Sequence, residues 1–340
     1  MLYITFFISF IISIILTPII RNIAFKLRVL DYPNERKVHD KPIPRIGGVA
    51  FYLSILLVNL IFNKTIIIEK VLLGGSLIFI IGLIDDFVEL KPAPKFWLTF
   101  LAILVSVFIG IRLESFKIPY TDITISGWLA YVFSFLWLLG ITNAMNFIDG
   151  LDGLAAGVSA IASFSLLIIA LLLKRMETAI FLSTMLGGVL GFLFFNFPPA
   201  SIIMGDSGAM FLGFLLSAIS ITGVLKFSTL INLFVPIMIL GFPILDTIFS
   251  IIRRIIEGRP PWKFDKDHIH HRFLKIGMDT RQSIGFIYLI TISMSLIAII
   301  LSLLYYNKEI ALLILTGTLG LIIFILVKLG ILMVGRNGKI

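Results

Sequence analysis

The chain has 340 residues, of which 59% are hydrophobic and only 14% charged, with a mean hydropathy of +1.09. A soluble domain runs about 45–50% apolar and about 25% charged, so this composition excludes an ordinary water-soluble globule and implies a polytopic membrane protein. The absence of cysteine excludes disulfides and thiolate metal sites, and the net charge of +9 fits membrane topology and phosphate-bearing substrates better than nucleic acid.

A bilayer core takes about 20 apolar residues per helix. On that measure the sequence predicts an all-α fold of eleven spans, near residues 3–24, 46–63, 70–86, 94–113, 126–145, 154–173, 178–196, 207–225, 230–254, 283–304 and 309–333. The first apolar run, Met1 to Ile20, is too long for a signal-peptide core and lacks a small-residue cleavage site, so it reads as a span. After it comes the basic stretch Lys26–Arg45. The third span closes on Asp85-Asp86, with Lys91 and Lys95 following at once. Its apolar run, Val71–Ile84, is short for a hydrocarbon core, which predicts either a thinned bilayer or carboxylates at or below the headgroup plane.

The outer loop Glu114–Ser126 alternates as Lys-Ile-Pro-Tyr-Thr-Asp-Ile-Thr-Ile and predicts a small hairpin. The fifth span ends on Asn143-Ala-Met-Asn-Phe-Ile-Asp-Gly-Leu-Asp-Gly153. Its polar residues Asn143, Asn146, Asp149 and Asp152 recur every third position, a stripe along one helical face. The eighth span opens on Met204-Gly-Asp-Ser-Gly208, where Asp206 reads either as an N-cap or as a hard oxygen ligand for Mg²⁺ beside a phosphate-favouring helix terminus. Pro236 and Pro243 predict a break in the ninth span, and Asp246 inside it either serves the freed backbone groups or has a functional role. Arg253 and Arg254 end that span. The segment 258–282 that follows is predicted to be a basic loop carrying His268-Ile-His-His271. Three neighbouring histidines could suggest zinc, but no cysteine or spaced carboxylate completes a tetrahedral set, and the surrounding cations favour phosphate and sugar hydrogen bonding.

Most of the 28 Lys and Arg residues fall on the side of Lys26–Arg45, Lys91, Lys95, 253–281 and the C-terminus. The positive-inside rule makes that side cytoplasmic, with the N-terminus outside and the C-terminus inside. Two spans separate each polar constellation from the next, so Lys26–Arg45, Asp85-Asp86, Asn143–Asp152, Asp206 and His268–His271 all emerge on that same face. A transporter with intramembrane acids is the rival from another class. It would place charge near the midplane, face both sides and carry internal repeats, and the one-sided pattern without a repeat argues against it.

Together these motifs, with Asp31-Tyr-Pro-Asn-Glu-Arg-Lys-Val-His39 and Pro42-Ile-Pro-Arg-Ile-Gly-Gly48, make the chain similar nearly end to end to the polyprenyl-phosphate N-acetylhexosamine-1-phosphate transferases. That superfamily also contains the phospho-MurNAc-pentapeptide translocase. The resemblance implies a single integral-membrane transferase domain over 1–340, located in a bacterial cytoplasmic membrane with its active site facing the cytoplasm. In the implied reaction, the phosphate of an undecaprenyl-type lipid attacks the β-phosphorus of a UDP-N-acetylhexosamine and releases UMP. Carried over by motif, Asn146 and Asp206 are the implied ligands of Mg²⁺, with Mn²⁺ the alternative ion. Asp85 and Asp86 are implied to position or deprotonate the lipid phosphate, and Lys95 to meet the pyrophosphate. Asp149 and Asp152, with Asn143 and Gly150, are implied to line the metal and uridine site. Arg253, Arg254, His268, His270 and His271 are implied to hold the sugar phosphate, with His268 grouped among the reacting residues, and Arg45 joins the substrate-binding set. A one-step displacement is the more economical mechanism, since a metal and cations suffice to stabilise the transferring phosphoryl group.

The form His268-Ile-His-His271, followed by Arg272-Phe-Leu and Thr280-Arg-Gln-Ser, resembles the N-acetylglucosamine branch, which primes teichoic acid, O-antigen and related glycans. The MurNAc-pentapeptide branch is the alternative. Ile203 stands where relatives place an aromatic ring against uracil, and Glu89 stands where they carry a third aspartate. A second copy of the chain is the protein partner this reading leaves open.

Overall fold

The computed structural model describes residues 1–32, 42–117, 124–224, 230–258 and 268–303, with scattered positions between 313 and 327. The architecture is all-α. In order it comprises α1 (Leu2–Leu27), α2 (Gly48–Phe62), α3 (Ile66–Val88), α4 (Pro92–Phe108), α5 (Trp128–Ile148), α6 (Leu154–Leu172), α7 (Met176–Asn196), α8 (Gly205–Ile219), α9 (Leu230–Ile239), α10 (Gly241–Ile256), α11 (Ile269–Lys275) and α12 (Thr280–Leu303). Seven helical stretches among the described residues, α1, α3, α5, α6, α7, Gly205–Gly223 and α12, are long and apolar enough to cross a membrane, and α2 and α4 are shorter apolar helices. The protein is thus a polytopic membrane protein. Most of the eleventh predicted span, 309–333, lies outside the described residues, as do 33–41 and 259–267.

The third predicted span is longer than its apolar run suggested. α3 begins at Ile66, so Glu69 and Lys70 lie inside the helix rather than before it. Its 23 residues give a length of about 35 Å at about 1.5 Å per residue, enough to cross a core without thinning it. The helix stops where Glu89 takes a left-handed conformation, φ 51°, its N–H bonded to the Asp85 carbonyl. α4 then starts on Pro92, whose missing N–H costs nothing in a first turn.

α8 is the central rod. Every residue from Ser207 to Ile219 is buried, as expected for a helix that is apolar all round. α3 and α5 pack directly against it, α1 packs on α7, and α6 bridges α7 and α12. The buried stripe Thr5, Ser9, Ser13 and Thr17 on α1 repeats every fourth residue. Small side chains at that spacing let helix backbones approach closely, the usual basis of helix association in lipid.

The predicted break in the ninth span is present: Leu240 separates α9, which contains Pro236, from α10, whose first turn contains Pro243. The predicted outer hairpin is also present, as β3 (Ser115–Lys117) pairs antiparallel with β4 (Thr124–Ser126). The histidine segment differs from the predicted loop. Within 258–282, His268 caps a short helix, α11, and α12 begins at Thr280. A two-residue ladder unforeseen in the sequence, β1 (Leu30–Asp31) with β2 (Ile43–Pro44), ties the end of α1 to the start of α2.

Candidate active site: a carboxylate cluster at alternating helix ends

The C-terminal ends of α3 and α5 meet the N-terminal ends of α4 and α8. Two glycines permit the approach. A Cβ on Gly82 would fall 2.5 Å from Ser207 Cα, and Gly205, at φ 74°, has the Arg45 carbonyl and the Asp86 carboxylate where a side chain would stand. α3 therefore lies close enough to α8 for Asp86 to accept hydrogen bonds from Asp206 N (2.8 Å), Ser207 N (3.1 Å) and Ser207 Oγ (2.5 Å). These backbone groups lie in the first turn of α8, the donors an N-cap ordinarily serves. Asp86 is thus a cap supplied by another helix. Arg45 Nε adds an ion pair at 3.4 Å, and the Asp86 side chain has no exposed surface.

With the helix end served by Asp86, Asp206 is directed into the cluster. Its Oδ2 meets Lys95 Nζ at 2.5 Å and Arg45 at 3.6 Å. Lys95 also bonds Asp85 Oδ2 at 3.0 Å, while Asp85 Oδ1 accepts from Leu90 N at 2.8 Å. Asn146 completes the group. With its nitrogen towards Asp206 Oδ1 (2.9 Å) and its oxygen towards Lys95 Nζ (3.2 Å), its amide satisfies both neighbours. Arg45 reaches Glu89 at 3.1 Å and Asp85 at 4.0 Å as well. Burial works against the Arg45 charge, but Asp206, Asp86, Asp31 and Asp85 outweigh it and hold the guanidinium above its usual range.

The expected polar stripe on α5 divides in two. Asn143 and Asn146 are on the helix, but α5 ends at Ile148, so Asp149 and Asp152 belong to the turn before α6. Asn143 turns its amide back onto the Leu139 carbonyl at 2.8 Å. Asp152 accepts from Ala200 N at 2.9 Å, which fastens this turn to the segment before α8. Asp149 is half-buried. Desolvation first, then Asp206, Asp86 and Asp152, push its carboxyl well above the usual range.

Asn196, at the end of α7, was not identified as a candidate. Its Oδ1 accepts from Gly153 N at 3.0 Å and its Nδ2 donates to the Ile202 carbonyl at 2.9 Å. A lone amide ending an apolar run before Phe197-Pro-Pro is the signal that could have marked it. From α12, Tyr288 Oη donates to the Gly153 carbonyl at 2.6 Å and holds the same turn.

The histidines reach this turn from the other side. His270 is buried against Gly150, and neither of its ring nitrogens has a hydrogen-bond partner. Burial pushes its pKa down to about 3, so the ring is neutral at neutral pH. His270 stacks on His268 with ring centroids 5.7 Å apart, and His271 lies 4.3 Å from His270. Arg253 and Arg254 lie buried in the last turn of α10. The structure therefore brings Arg45, Asp85, Asp86, Lys95, Asn146 and Asp206 into one cluster, and His270 against the Asp149–Gly153 turn beside it. Among the described residues no three His, Asp or Glu side chains form a ligating group.

Residues 68–224 match the model of the family described as Glycosyl transferase family 4. The chain is 40% identical over 302 residues to a probable undecaprenyl-phosphate N-acetylglucosaminyl 1-phosphate transferase of Bacillus subtilis, covering 88% of this chain and 84% of that one. It is 35% identical to a decaprenyl-phosphate N-acetylglucosaminephosphotransferase of Mycolicibacterium smegmatis, over 82% of this chain and 77% of that one. A phospho-N-acetylmuramoyl-pentapeptide-transferase of Listeria monocytogenes is 36% identical over a shorter part, 65% of this chain and 75% of its own.

Proposed function

The chain belongs to glycosyl transferase family 4, among the polyprenyl-phosphate N-acetylhexosamine-1-phosphate transferases, and from that premise we propose that it transfers N-acetylglucosamine-1-phosphate from UDP-N-acetylglucosamine to a polyprenyl phosphate. An oxygen of the lipid phosphate forms a bond to the β-phosphorus of the nucleotide sugar, the bond from that phosphorus to the bridging oxygen breaks, and UMP leaves. The product is a lipid-linked sugar pyrophosphate of the kind that starts a surface glycan.

The observation that carries this reading is the convergence of Asn146, Asp206, Asp85 and Lys95 from four helix ends. The Asn146 amide terminus and Asp206 Oδ1 are 2.9 Å apart. That contact is an amide N–H donating to a carboxylate. With the amide turned to bring its oxygen inward, the pair would offer Mg²⁺ two hard oxygen ligands. They also leave most coordination positions to water and phosphate, as Mg²⁺ prefers. When bound there, the ion would polarise the β-phosphoryl group and offset its charge.

Each remaining residue has a task consistent with its place. Asp85 shares Lys95 with Asp206 and is set to orient the lipid phosphate or take its proton. Lys95, released from its carboxylates, offers an ammonium to the pyrophosphate. Arg45 keeps four carboxylates and the helix ends together, and Asp86 holds the first turn of α8 that presents Asp206. The Asp149–Gly153 turn, held by Asn196, Asp152 and Tyr288, receives the nucleotide, while Arg253, Arg254 and the histidines face the sugar phosphate. The Lys and Arg bias supports a cytoplasmic orientation for this face, the side on which nucleotide sugars are present.

The deciding assay measures UMP release by the purified protein in detergent with undecaprenyl phosphate, comparing UDP-GlcNAc, UDP-GalNAc and UDP-MurNAc-pentapeptide, with Mg²⁺ or with chelator. UDP-GlcNAc is expected to be preferred, with release abolished by omitting the lipid or the metal. Release without lipid, or full activity in Asp206→Ala, would defeat the proposal. Preference for the pentapeptide nucleotide would reassign the branch.

A further inference from the structure

Asp246 has no part in the cluster described above, yet it is fully buried on α10, within the predicted ninth span. A carboxylate so placed is costly unless specific partners compensate it. One explanation is the helix break, whose freed backbone N–H groups an acid can serve. The contacts point elsewhere. Asp246 Oδ1 accepts from Ile269 N at 2.6 Å, and Oδ2 meets His268 Nδ1 at 2.6 Å. Both partners lie 22 or 23 residues further along the chain, on the histidine segment. Ser250, one turn beyond Asp246 on the same helix, brings its Oγ to 3.2 Å from the same His268 nitrogen.

An ionised carboxylate only accepts hydrogen bonds, so a 2.6 Å contact places a proton on His268 Nδ1. That fixes the tautomer. Nε2, on the opposite edge of the ring, is then the nitrogen left for a ligand. The ring is also held in place by its neighbours. The Phe147 ring lies 5.8 Å from it, and His270 stacks on it at 5.7 Å. His268 thus packs against the helix end that carries Asn146, with its orientation set from α10.

We propose that Asp246 is a positioning residue for the transfer reaction: it holds His268 as the Nδ1–H tautomer and anchors the first turn of α11, so that Nε2 faces the substrate phosphates. The arrangement parallels the acid that orients a catalytic histidine in hydrolase triads, where the buried carboxylate acts through the imidazole and not on the substrate. The kinetic part of this inference rests on the transferase reading. The tautomer does not.

Two measurements separate those parts. The first is nitrogen NMR of ring-¹⁵N-histidine protein in lipid nanodiscs without substrate, assigned by the loss of one signal in His268→Gln. Only four histidines are present, so the spectrum is tractable. His268 Nδ1 is expected to be protonated in the wild type. In Asp246→Asn the amide must keep its oxygen on Ile269 N–H and turn its NH₂ towards His268. The proton should then move to Nε2. An unprotonated Nδ1 in the wild type overturns the proposal without recourse to any variant, as does an unchanged His268 signal in a folded Asp246→Asn protein.

The second measurement is steady-state UMP release. Asp246→Asn is expected to lower kcat roughly 10- to 100-fold with KM for UDP-GlcNAc within about threefold, by the usual scale for groups that orient a functional histidine. Asp246→Glu should recover part of the rate. A kcat within twofold of wild type, or a raised KM with kcat intact, would show that Asp246 does not act through His268. If the wild-type protein releases no UMP while the NMR result stands, the transferase reading fails and the dyad survives.

Discussion

Asp86→Asn is the sharpest test of the division of labour among the carboxylates. Asp86 takes three hydrogen bonds from the first turn of α8, at 2.8, 3.1 and 2.5 Å, and an ion pair with Arg45 at 3.4 Å. Asparagine keeps the shape but offers one acceptor oxygen and an NH₂. With the oxygen left on Asp206 N and the guanidinium, which share Oδ1, the NH₂ takes the place of Oδ2 and faces Ser207 N–H, a donor, and the Ser207 hydroxyl, while the ion pair loses its charge. The Ser207 hydroxyl can rotate to accept, so the net loss is one charge-assisted bond and one ion pair, with a buried N–H left unpaired. Bonds to charged groups contribute about 1.5–3 kcal/mol, and breaking a buried pair costs about 3–5 kcal/mol. A destabilisation of about 3 kcal/mol is the low end of that range. For a chain of this size it corresponds to a fall of roughly 4 °C in the melting temperature. The assay is thermal unfolding by intrinsic fluorescence in detergent, run beside UMP release. Both should fall together, because Asp206 is presented by the turn that Asp86 caps. A melting temperature within a degree of wild type, with activity lost, would refute the capping argument and return Asp86 to the reacting groups.

Other substitutions probe the same geometry. Asn146→Asp keeps an oxygen beside Asp206 but adds a negative charge, so metal dependence should persist while KM for UDP-GlcNAc rises about tenfold, the size of a 1.4 kcal/mol penalty; an unchanged KM would count against the amide's assigned place. His270→Gln tests the buried imidazole. His270 binds its proton only near pH 3 when folded and about 6.5 when unfolded, so the unfolded chain holds more protons between those values. Stability should decline as pH falls through that window, by up to about 1.4 kcal/mol per pH unit, and the glutamine variant should lose that component in melts taken from pH 7 to 4.5. Gly150→Ala places a methyl group against the His270 ring. It should cut kcat more than tenfold by forcing the histidine helix off the Asp149–Gly153 turn; wild-type kinetics would show that the turn yields at no cost.

Much of the fold is legible because most of the long helices are defined by an apolar run of membrane-spanning length bounded by glycine, proline or charge. The errors have local causes. The predicted third span starts at residue 70, yet α3 begins at Ile66 and holds Glu69 and Lys70 in its first turns, where long side chains carry their charges to the interface while the helix continues. The histidine segment was read as a loop because of its charge. The pair Ile269 and Phe273, four residues apart and both buried, is the signal of one apolar helical face within it. Parity arguments predicted that five distant constellations would share one face. The structure agrees where its described residues test this, joining Arg45, Asp85-Asp86, Asn146 and Asp206 directly and setting His270 against Gly150.

What each acid does was not legible, and the reason is physical. Asp206 at the start of a helix has the local pattern of a self-cap, and nothing nearby in sequence reveals that another residue fills that role. The acceptor for the α8 first turn lies 120 residues earlier, at Asp86. One consequence follows from counting acceptors. A carboxylate bonded to its own helix terminus has little left for a cation, whereas one relieved of that duty keeps both oxygens for Lys95, Arg45, Asn146 or a metal. Asp206 keeps its oxygens for the cations of the cluster because Asp86 serves the helix end. The adjacent acids Asp85 and Asp86, indistinguishable by composition or spacing, are separated by the same fact. They point to different sides of α3, one to the ammonium of Lys95 and the other to the amides of α8. A sequence can place two acids at a helix end, but only the packing partner decides which one completes the fold and which one remains for chemistry.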